Sequence, residues 1–302
     1  MSAPRLPGCR HRGEELLPDR WVCLSDRLVV RTGLVSGETC RSRCPYVDHE
    51  PDGPARSEPH APGLTVACDP RLVAVGVITA PRSVPTLPQT LAELRRAGFP
   101  QPVRVFAEPT APVPDVPGVA VHRNPIRLGI WGNWAAAARR VLADTDAPFV
   151  LMCEDDVRFA RCAALALQHA IDAIPHDTWG YVSLYTPRHN LRHADGGVGW
   201  RELAVGWGTW GALAWCFTRA GLAAVLNSRA AYAHASADGT DAVVSVAAKE
   251  LGRKCYFHVP SLGDHTGGDN STAGHYHAPG EALGLGFSAE YRGYLPRPEE
   301  RG

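Results

Sequence analysis

Three consecutive carboxylates, Glu154, Asp155 and Asp156, stand immediately after the apolar run PFVLMC. Like charges this close repel and raise one another's pKa unless a cation neutralises them. A divalent metal answers that need, because Mg²⁺ and Mn²⁺ favour oxygen ligands and typically combine one or two carboxylates with substrate phosphates. The competing reading is a solvated loop whose first Asp caps the next helix. At the other end of the chain Cys9, Cys23, Cys40 and Cys44, with His11 nearby, supply enough soft donors for a tetrahedral structural Zn²⁺. Only Cys40 and Cys44 form a tight pair, so reduced thiols packed in a small core are the alternative there. Cys68, Cys153, Cys162, Cys216 and Cys255 read as ordinary buried small residues.

The carboxylates need a scaffold, and the residues before and after them supply its pattern. Residues 1–67 are rich in Cys, Pro, Arg and Gly, show one short strand-like run at Leu28 to Arg31, and end in a Pro-rich linker. They read as a small appended module. From residue 68 to 302 the pattern is regular. LVAVGVIT is a continuous apolar run of the kind a strand buried on both faces requires. Leu87, Leu91 and Leu94 then mark a helix with Pro88 in its first turn and Gly98 as its stop. PVRVFAE, PFVLMC, GYVSLY, GALAWCFT and CYFHVP read as further strands. Helices are expected from Asn133 to Ala143, around Leu165, Ile171 and Ile174, and at about 219–227 and 239–251.

Strands and helices alternating at these lengths predict an α/β fold, a Rossmann-like, mostly parallel sheet flanked by helices. In such sheets ligands bind beyond the carboxyl ends of the strands. Thr79 to Arg82, Glu108 and Glu154 to Asp156 all stand at those ends.

Bulk composition excludes several classes. With 31 basic and 31 acidic residues among 302, there is no concentrated positive field to hold nucleic acid. A composition 45% hydrophobic and 21% charged is that of a folded globular chain. No stretch approaches the ~20 apolar residues of a transmembrane segment, and the first twenty residues lack a secretory leader's apolar core, so the expected compartment is the cytoplasm. Nine cysteines, an odd count, suit a reducing environment.

LMCEDDV, a strand running into an acidic triplet, resembles the DXD element of glycosyltransferases with the GT-A fold. It is similar in particular to the EDD variant of lipopolysaccharide-type transferases and of the N-acetylglucosaminyltransferase IV group. VGVITAPR resembles the first strand and nucleotide-binding loop of that fold, and GNWAAAARRVL the helix before the acidic element. WGALAWCFTRAG resembles the segment flanking the sugar pocket, and PSLGDHTGGDNST the C-terminal histidine element. The pieces fall in order across residues 71–272, about two thirds of the chain.

The resemblance implies a GT-A-like domain over residues 68–302 that transfers a sugar from a nucleotide-diphospho-sugar donor to a hydroxyl acceptor, with inversion, using Mn²⁺ or Mg²⁺. It implies Asp156 as principal metal ligand, Glu154 or Asp155 meeting the ribose or a metal-bound water, and His265 completing the shell. Thr79 and Arg82 would contact base or diphosphate, Glu108 the nucleoside, and Asn133 the same ligand. Asp241 falls where inverting members carry the general base, with Asp238 as a rival; either could instead cap the helix that follows. For Glu108 and Arg82 the plain alternative is an exposed loop charge. Trp200, Trp207, Trp210 and Trp215 could stack on sugar rings, though Trp215, inside an apolar strand, reads as core. His275 and His277 read as surface residues.

Two other functions share this pattern. One is a nucleotidyltransferase on a similar scaffold, although TAPRSVP lacks the glycines of that class's loop. The other is a non-catalytic scaffold that binds a sugar nucleotide and docks a partner through the cysteine module.

Overall fold

A computed structural model describes residues 12–17, 20–23, 34–36, 69, 71–187, 197–203, 211–233, 239–267, 286–291, 293 and 294, the first three segments by backbone path alone. Those three, β1 (Arg12–Leu17), β2 (Arg20–Cys23) and β3 (Leu34–Ser36), pair as a small antiparallel sheet in the order β1-β2-β3. The run Leu28 to Arg31, the residues Cys9, Cys40 and Cys44, the Cys23 side chain and the boundary at residues 67 and 68 all lie outside the described residues.

The main body is an eight-stranded sheet flanked by helices. Its elements in chain order begin with β4 (Val73–Thr79), α1 (Leu87–Arg96), β5 (Val103–Ala107), β6 (Val119–Arg123) and α2 (Gly129–Asp144). Next come β7 (Phe149–Glu154), β8 (Val157–Phe159), α3 (Ala163–Ala173), β9 (Trp179–Ser183), β10 (Gly199–Leu203) and β11 (Ala214–Thr218). The series ends with α4 (Arg219–Leu226), α5 (Arg229–Ala233), α6 (Thr240–Glu250), β12 (Lys254–Val259) and β13 (Gly263–His265). The sheet order is β10-β12-β9-β11-β7-β4-β5-β6, while β8 and β13 form a separate two-stranded ribbon.

Strands β7, β4, β5 and β6 are mutually parallel, as are β12 and β9, whereas β11 runs against both β7 and β9 and β10 runs against β12. The sheet is therefore mostly parallel, with β11 reversed in its middle. Apolar periodicity cannot reveal that reversal, because a strand covered on both faces reads as apolar in either direction.

Alternating side chains divide the interior into two layers. Val73, Val75 and Val77 of β4, with Leu151 and Cys153 of β7, pack under Leu87, Leu91 and Leu94 of α1 and Ala163, Leu167 and Ala170 of α3. Ala74 and Ile78, with Val150 and Met152, pack under α2, α4 and α6. Full burial of each larger aliphatic side chain contributes about 1.5–3 kcal/mol, so the central strands are firmly fixed. Leu165 is only half-buried; small residues such as Ala166 carry more of the α3 contact. At Gly76 an added Cβ would stand 2.9 Å from Met152 Sδ and 3.1 Å from Val141, and its absence lets α2 approach β4.

The register sets the level of the site. Ile78 pairs with Glu154 and Thr79 with Ala107, so the ends of β4, β5 and β7 share one edge. The reversed β11 brings its beginning there as well, since Ala214 pairs with Cys153. Helix α2 starts at Gly129, not at Asn133. The cause is tertiary: the Glu108 carboxylate accepts from the Leu128 and Gly129 amides at 3.0–3.1 Å, in the manner of a cap. No helix among the described residues is long and apolar enough to cross a membrane.

Candidate active site at the carboxyl edge of the sheet

Strand β7 ends at Glu154, and Asp155 and Asp156 form the turn into β8. Neighbouring elements hold this turn by its backbone. Thr90 of α1 donates through Oγ1 toward Asp155 O (2.8 Å) and Val157 O (3.1 Å), and accepts from Val157 N (3.2 Å). Thr266 donates its N–H (2.8 Å) and hydroxyl (2.9 Å) to Asp156 O. Glu154 N–H reaches Leu213 O before β11 at 2.8 Å.

The side chains then converge. Strand β13 pairs with β8 so that His265 stands opposite Val157, which sets His265 Nε2 3.1 Å from Asp156 Oδ2. The loop after β4 brings Arg82, whose Nη2 is 2.7 Å from Asp155 Oδ1 and 2.9 Å from Asp156 Oδ2. Thr79 donates to Asp155 Oδ2 at 2.5 Å. Asp155 and Asp156 are 2% and 1% exposed, and Asp156 Oδ1 has no hydrogen-bond partner.

These distances fix the electrostatics. Burial pushes the Glu154 carboxyl up to about 8, aided by Asp156 and Asp155 and opposed by His265 and Arg82. Burial likewise raises Asp155, partly offset by Arg82 and Thr79. For Asp156 burial is outweighed: the His265 hydrogen bond and charge, with Arg82, hold it below the usual carboxylate range. His265 is raised although burial opposes its charge, because Asp156 and Glu154 face it. Arg82 is held firmly protonated by Asp156 and Asp155 against its own desolvation.

Glu108 and Arg82 are not exposed loop charges. Glu108 is 3% exposed and spends both oxygens on the start of α2. The Arg82 side chain is 6% exposed and engaged by carboxylates, where a base or diphosphate contact was expected. Asn133 is buried too: its Oδ1 accepts from Asn124 Nδ2 (2.9 Å), and its Nδ2 lies 3.4 Å from Thr79 O and Phe106 O, tying strand ends together. Asp241 sits in the first turn of α6, where Oδ1 accepts from Ala242 N (2.9 Å) and Oδ2 from Gly211 N (3.3 Å). Gly211 lies two residues before Leu213, whose carbonyl bonds Glu154 N–H, so Asp241 reaches the same edge. Its contacts serve its helix as well, which leaves the capping role open beside that of a base.

Trp215 is buried and stacked on Tyr181, with ring centroids 4.3 Å apart, as a core residue should be. Trp200 donates to Ala166 O at 3.2 Å. Trp207, Trp210, Asp238, His275 and His277 lie outside the described residues. Cys153, Cys162, Cys216 and Cys255 are buried free thiols, and burial pushes Cys162 to about 11 and Cys255 to about 12.

Several residues at this edge carry no legible sequence signal. Thr90 and Thr266 hold the acidic turn. Tyr185 is buried with Asp264, Asp156 and Glu154 acting on its hydroxyl, which burial already holds protonated. Gly267 lies so close that a Cβ there would stand 2.2 Å from Asp156 Oδ2 and 2.7 Å from His265 Nε2. The sequence does show Gly267 two residues beyond His265, but nothing in it announces that approach.

Among the described residues, no three His, Cys, Asp or Glu side chains are grouped so as to hold a metal ion by themselves. Two do converge, Asp156 and His265, and the unpartnered, buried Asp156 Oδ1 is the kind of oxygen a hard cation takes. This donor pair fits Mn²⁺ or Mg²⁺ provided phosphate oxygens and water supply the other positions.

By sequence, no family profile and no characterised protein matches the chain. By structure, it is similar to a mannosyltransferase from Pyrobaculum calidifontis, solved in complex with GDP-mannose and Mn²⁺. The match has 17% identity and a TM-score of 0.38, and covers 60% of this chain and 53% of that one. The chain thus spans about half the length of that structure, and a likeness this distant carries no argument about activity.

Proposed function

We propose that this chain is a divalent-metal-dependent glycosyltransferase, moving a sugar from a nucleotide-diphospho-sugar to a hydroxyl acceptor with inversion. The observation that carries the reading is the juxtaposition of Asp156 and His265 beyond the central strand β7. They are 109 residues apart in sequence, yet they meet through Asp156 Oδ2, and the other carboxylate oxygen of Asp156, Oδ1, is buried without a partner.

Asp156 and His265 are the residues to hold Mn²⁺ or Mg²⁺, with Glu154 and Asp155 adjoining. Bound there, the cation neutralises charge on the departing nucleoside diphosphate. Thr79 positions Asp155 through its hydroxyl. Asp241, whose carboxylate stands at the same edge, is the residue we assign to accept the proton of the attacking hydroxyl. Glu108 and Asn133 support the floor of the nucleoside site by fixing the start of α2 and the strand ends. The amino-terminal cysteines are assigned a supporting, structural Zn²⁺ site at most, with no part in the chemistry.

Isothermal titration with a panel of sugar nucleotides, with and without Mn²⁺, tests the reading. Asp156→Ala should abolish metal-dependent donor binding. Asp241→Ala should retain binding and lower turnover by about 10²-fold or more. Near-normal turnover in the Asp241 variant would remove it as base. Release of pyrophosphate instead of nucleoside diphosphate would favour a nucleotidyltransferase, and donor binding without turnover a non-catalytic scaffold.

A further inference from the structure

The acidic turn already contains a cation, and it belongs to the protein. Arg82 grips Asp155 Oδ1 with Nε (3.0 Å) and Nη2 (2.7 Å), and the same Nη2 reaches Asp156 Oδ2 at 2.9 Å. Of the four carboxylate oxygens on these two residues, Asp155 Oδ2 is taken by Thr79, Asp155 Oδ1 by Arg82, and Asp156 Oδ2 by Arg82 and His265. Asp156 Oδ1 remains. On this pair a metal ion arriving alone therefore finds one open oxygen and a positive charge beside it. To gain more it must displace a guanidinium whose side chain is 6% exposed, and a buried guanidinium stripped of its anions is costly. A bare hydrated cation offers Arg82 no new anion. A diphosphate does, because guanidinium pairs with phosphate oxygens in the same two-pronged way it pairs with carboxylate.

We propose that Arg82 is the resident counter-cation of the acidic turn and couples the two ligands, the metal entering at Asp156, between Asp155 and His265, as the diphosphate draws Arg82 away. The inference deepens the transferase reading and rests on it. Because such coupling is reciprocal, the diphosphate must tighten metal binding as much as the metal tightens diphosphate binding. Arg82 is thus a positioning residue that delays a stray cation until the nucleotide is present.

The experiment measures free Mn²⁺ by electron paramagnetic resonance during titration of the full chain with MnCl₂ alone. It is then repeated with saturating UDP and with saturating GDP, for the unaltered protein, Arg82→Lys and Arg82→Gln. Removing the competing unit charge at contact distance should tighten binding of Mn²⁺ alone by at least about tenfold in Arg82→Gln. Lysine keeps the charge but loses the two-pronged grip, so Arg82→Lys should fall between that variant and the unaltered protein. The nucleotide's tightening of Mn²⁺ binding should be large in the unaltered protein and smaller in Arg82→Gln by about the factor that the variant gains for Mn²⁺ alone, the remainder being direct coordination by the diphosphate. A purely structural Arg82 would give the opposite, with metal binding weakened together with melting temperature. Equal affinities for Mn²⁺ alone in all three proteins, alongside nucleotide-dependent binding in the unaltered one, overturn the role of Arg82 and leave the transferase reading standing. Mn²⁺ binding in none of them, with or without nucleotide, overturns both. Should Arg82→Gln fail to fold, Arg82→Lys decides alone, a gain supporting the proposal and no gain overturning it.

Discussion

Replacing Gly267 by alanine tests most directly whether backbone proximity shapes the Asp156–His265 pair. The new Cβ would stand 2.2 Å from Asp156 Oδ2 and 2.7 Å from His265 Nε2. An ordinary carbon–oxygen contact is about 3.3 Å or more, so roughly 1 Å of movement is required. Asp156 cannot readily give it. Thr266 holds its carbonyl at 2.8 and 2.9 Å, and Arg82 holds its carboxylate at 2.9 Å. The strain of such overpacking costs about 1–3 kcal/mol. Weakening the charge-assisted bond between His265 and Asp156 adds about 1.5–3 kcal/mol. A chain of this size loses roughly 2–4 °C of melting temperature per kcal/mol, so a fall of roughly 5–24 °C is expected. Differential scanning calorimetry measures it, and NMR titration of the His265 ring should show its pKa returning toward that of an ordinary histidine. A variant melting within about 1 °C of the parent, with His265 still titrating high, would refute the reasoning.

Two further outcomes follow from the same geometry. Thr90→Val keeps the shape of a 1% exposed side chain but strips its hydroxyl from Val157 N–H and from the Asp155 and Val157 carbonyls. Thermal or urea unfolding should show a loss of about 1–3 kcal/mol, and unchanged stability would mean the acidic turn holds itself. The second outcome concerns pH. His265 and Glu154 both have folded-state pKa values above their unfolded ones, Glu154 reaching about 8. The folded state then binds more protons than the unfolded chain, so this contribution is complete below the unfolded values, near 4.3 for Glu and 6.5 for His, and is lost as pH rises through the folded ones. Stability measured by urea unfolding should fall between roughly pH 5 and 8 on this account. Glu154→Gln should flatten that slope, and an equally steep slope in the variant would refute the assignment.

Much of the scaffold is legible in the chain itself. Continuous apolar runs such as VAVGVIT and FVLMCE report strands covered on both faces, and the leucines of α1 report a helix, because side-chain periodicity is a local property. The position of the carboxylates follows from their place at the end of such a run. What the sequence could not show depends on neighbours distant along the chain. The reversal of β11 is one case, and the early start of α2, dictated by the Glu108 carboxylate, is another. Strand β6 is half-exposed, and β8 and β13 are three residues each, too short for a period to register.

The same division runs through the site. Sequence alone determined that three carboxylates would emerge together from a central strand and would need positive charge. Only the tertiary structure decided which charges come nearest, since Arg82 arrives on the loop after β4 and His265 on β13, from opposite directions along the chain. It also turned Glu108 and Asn133 inward to brace strand ends and a helix start. The physical reason is that charge acts through space over a few ångströms, whereas the sequence records only separation along the backbone.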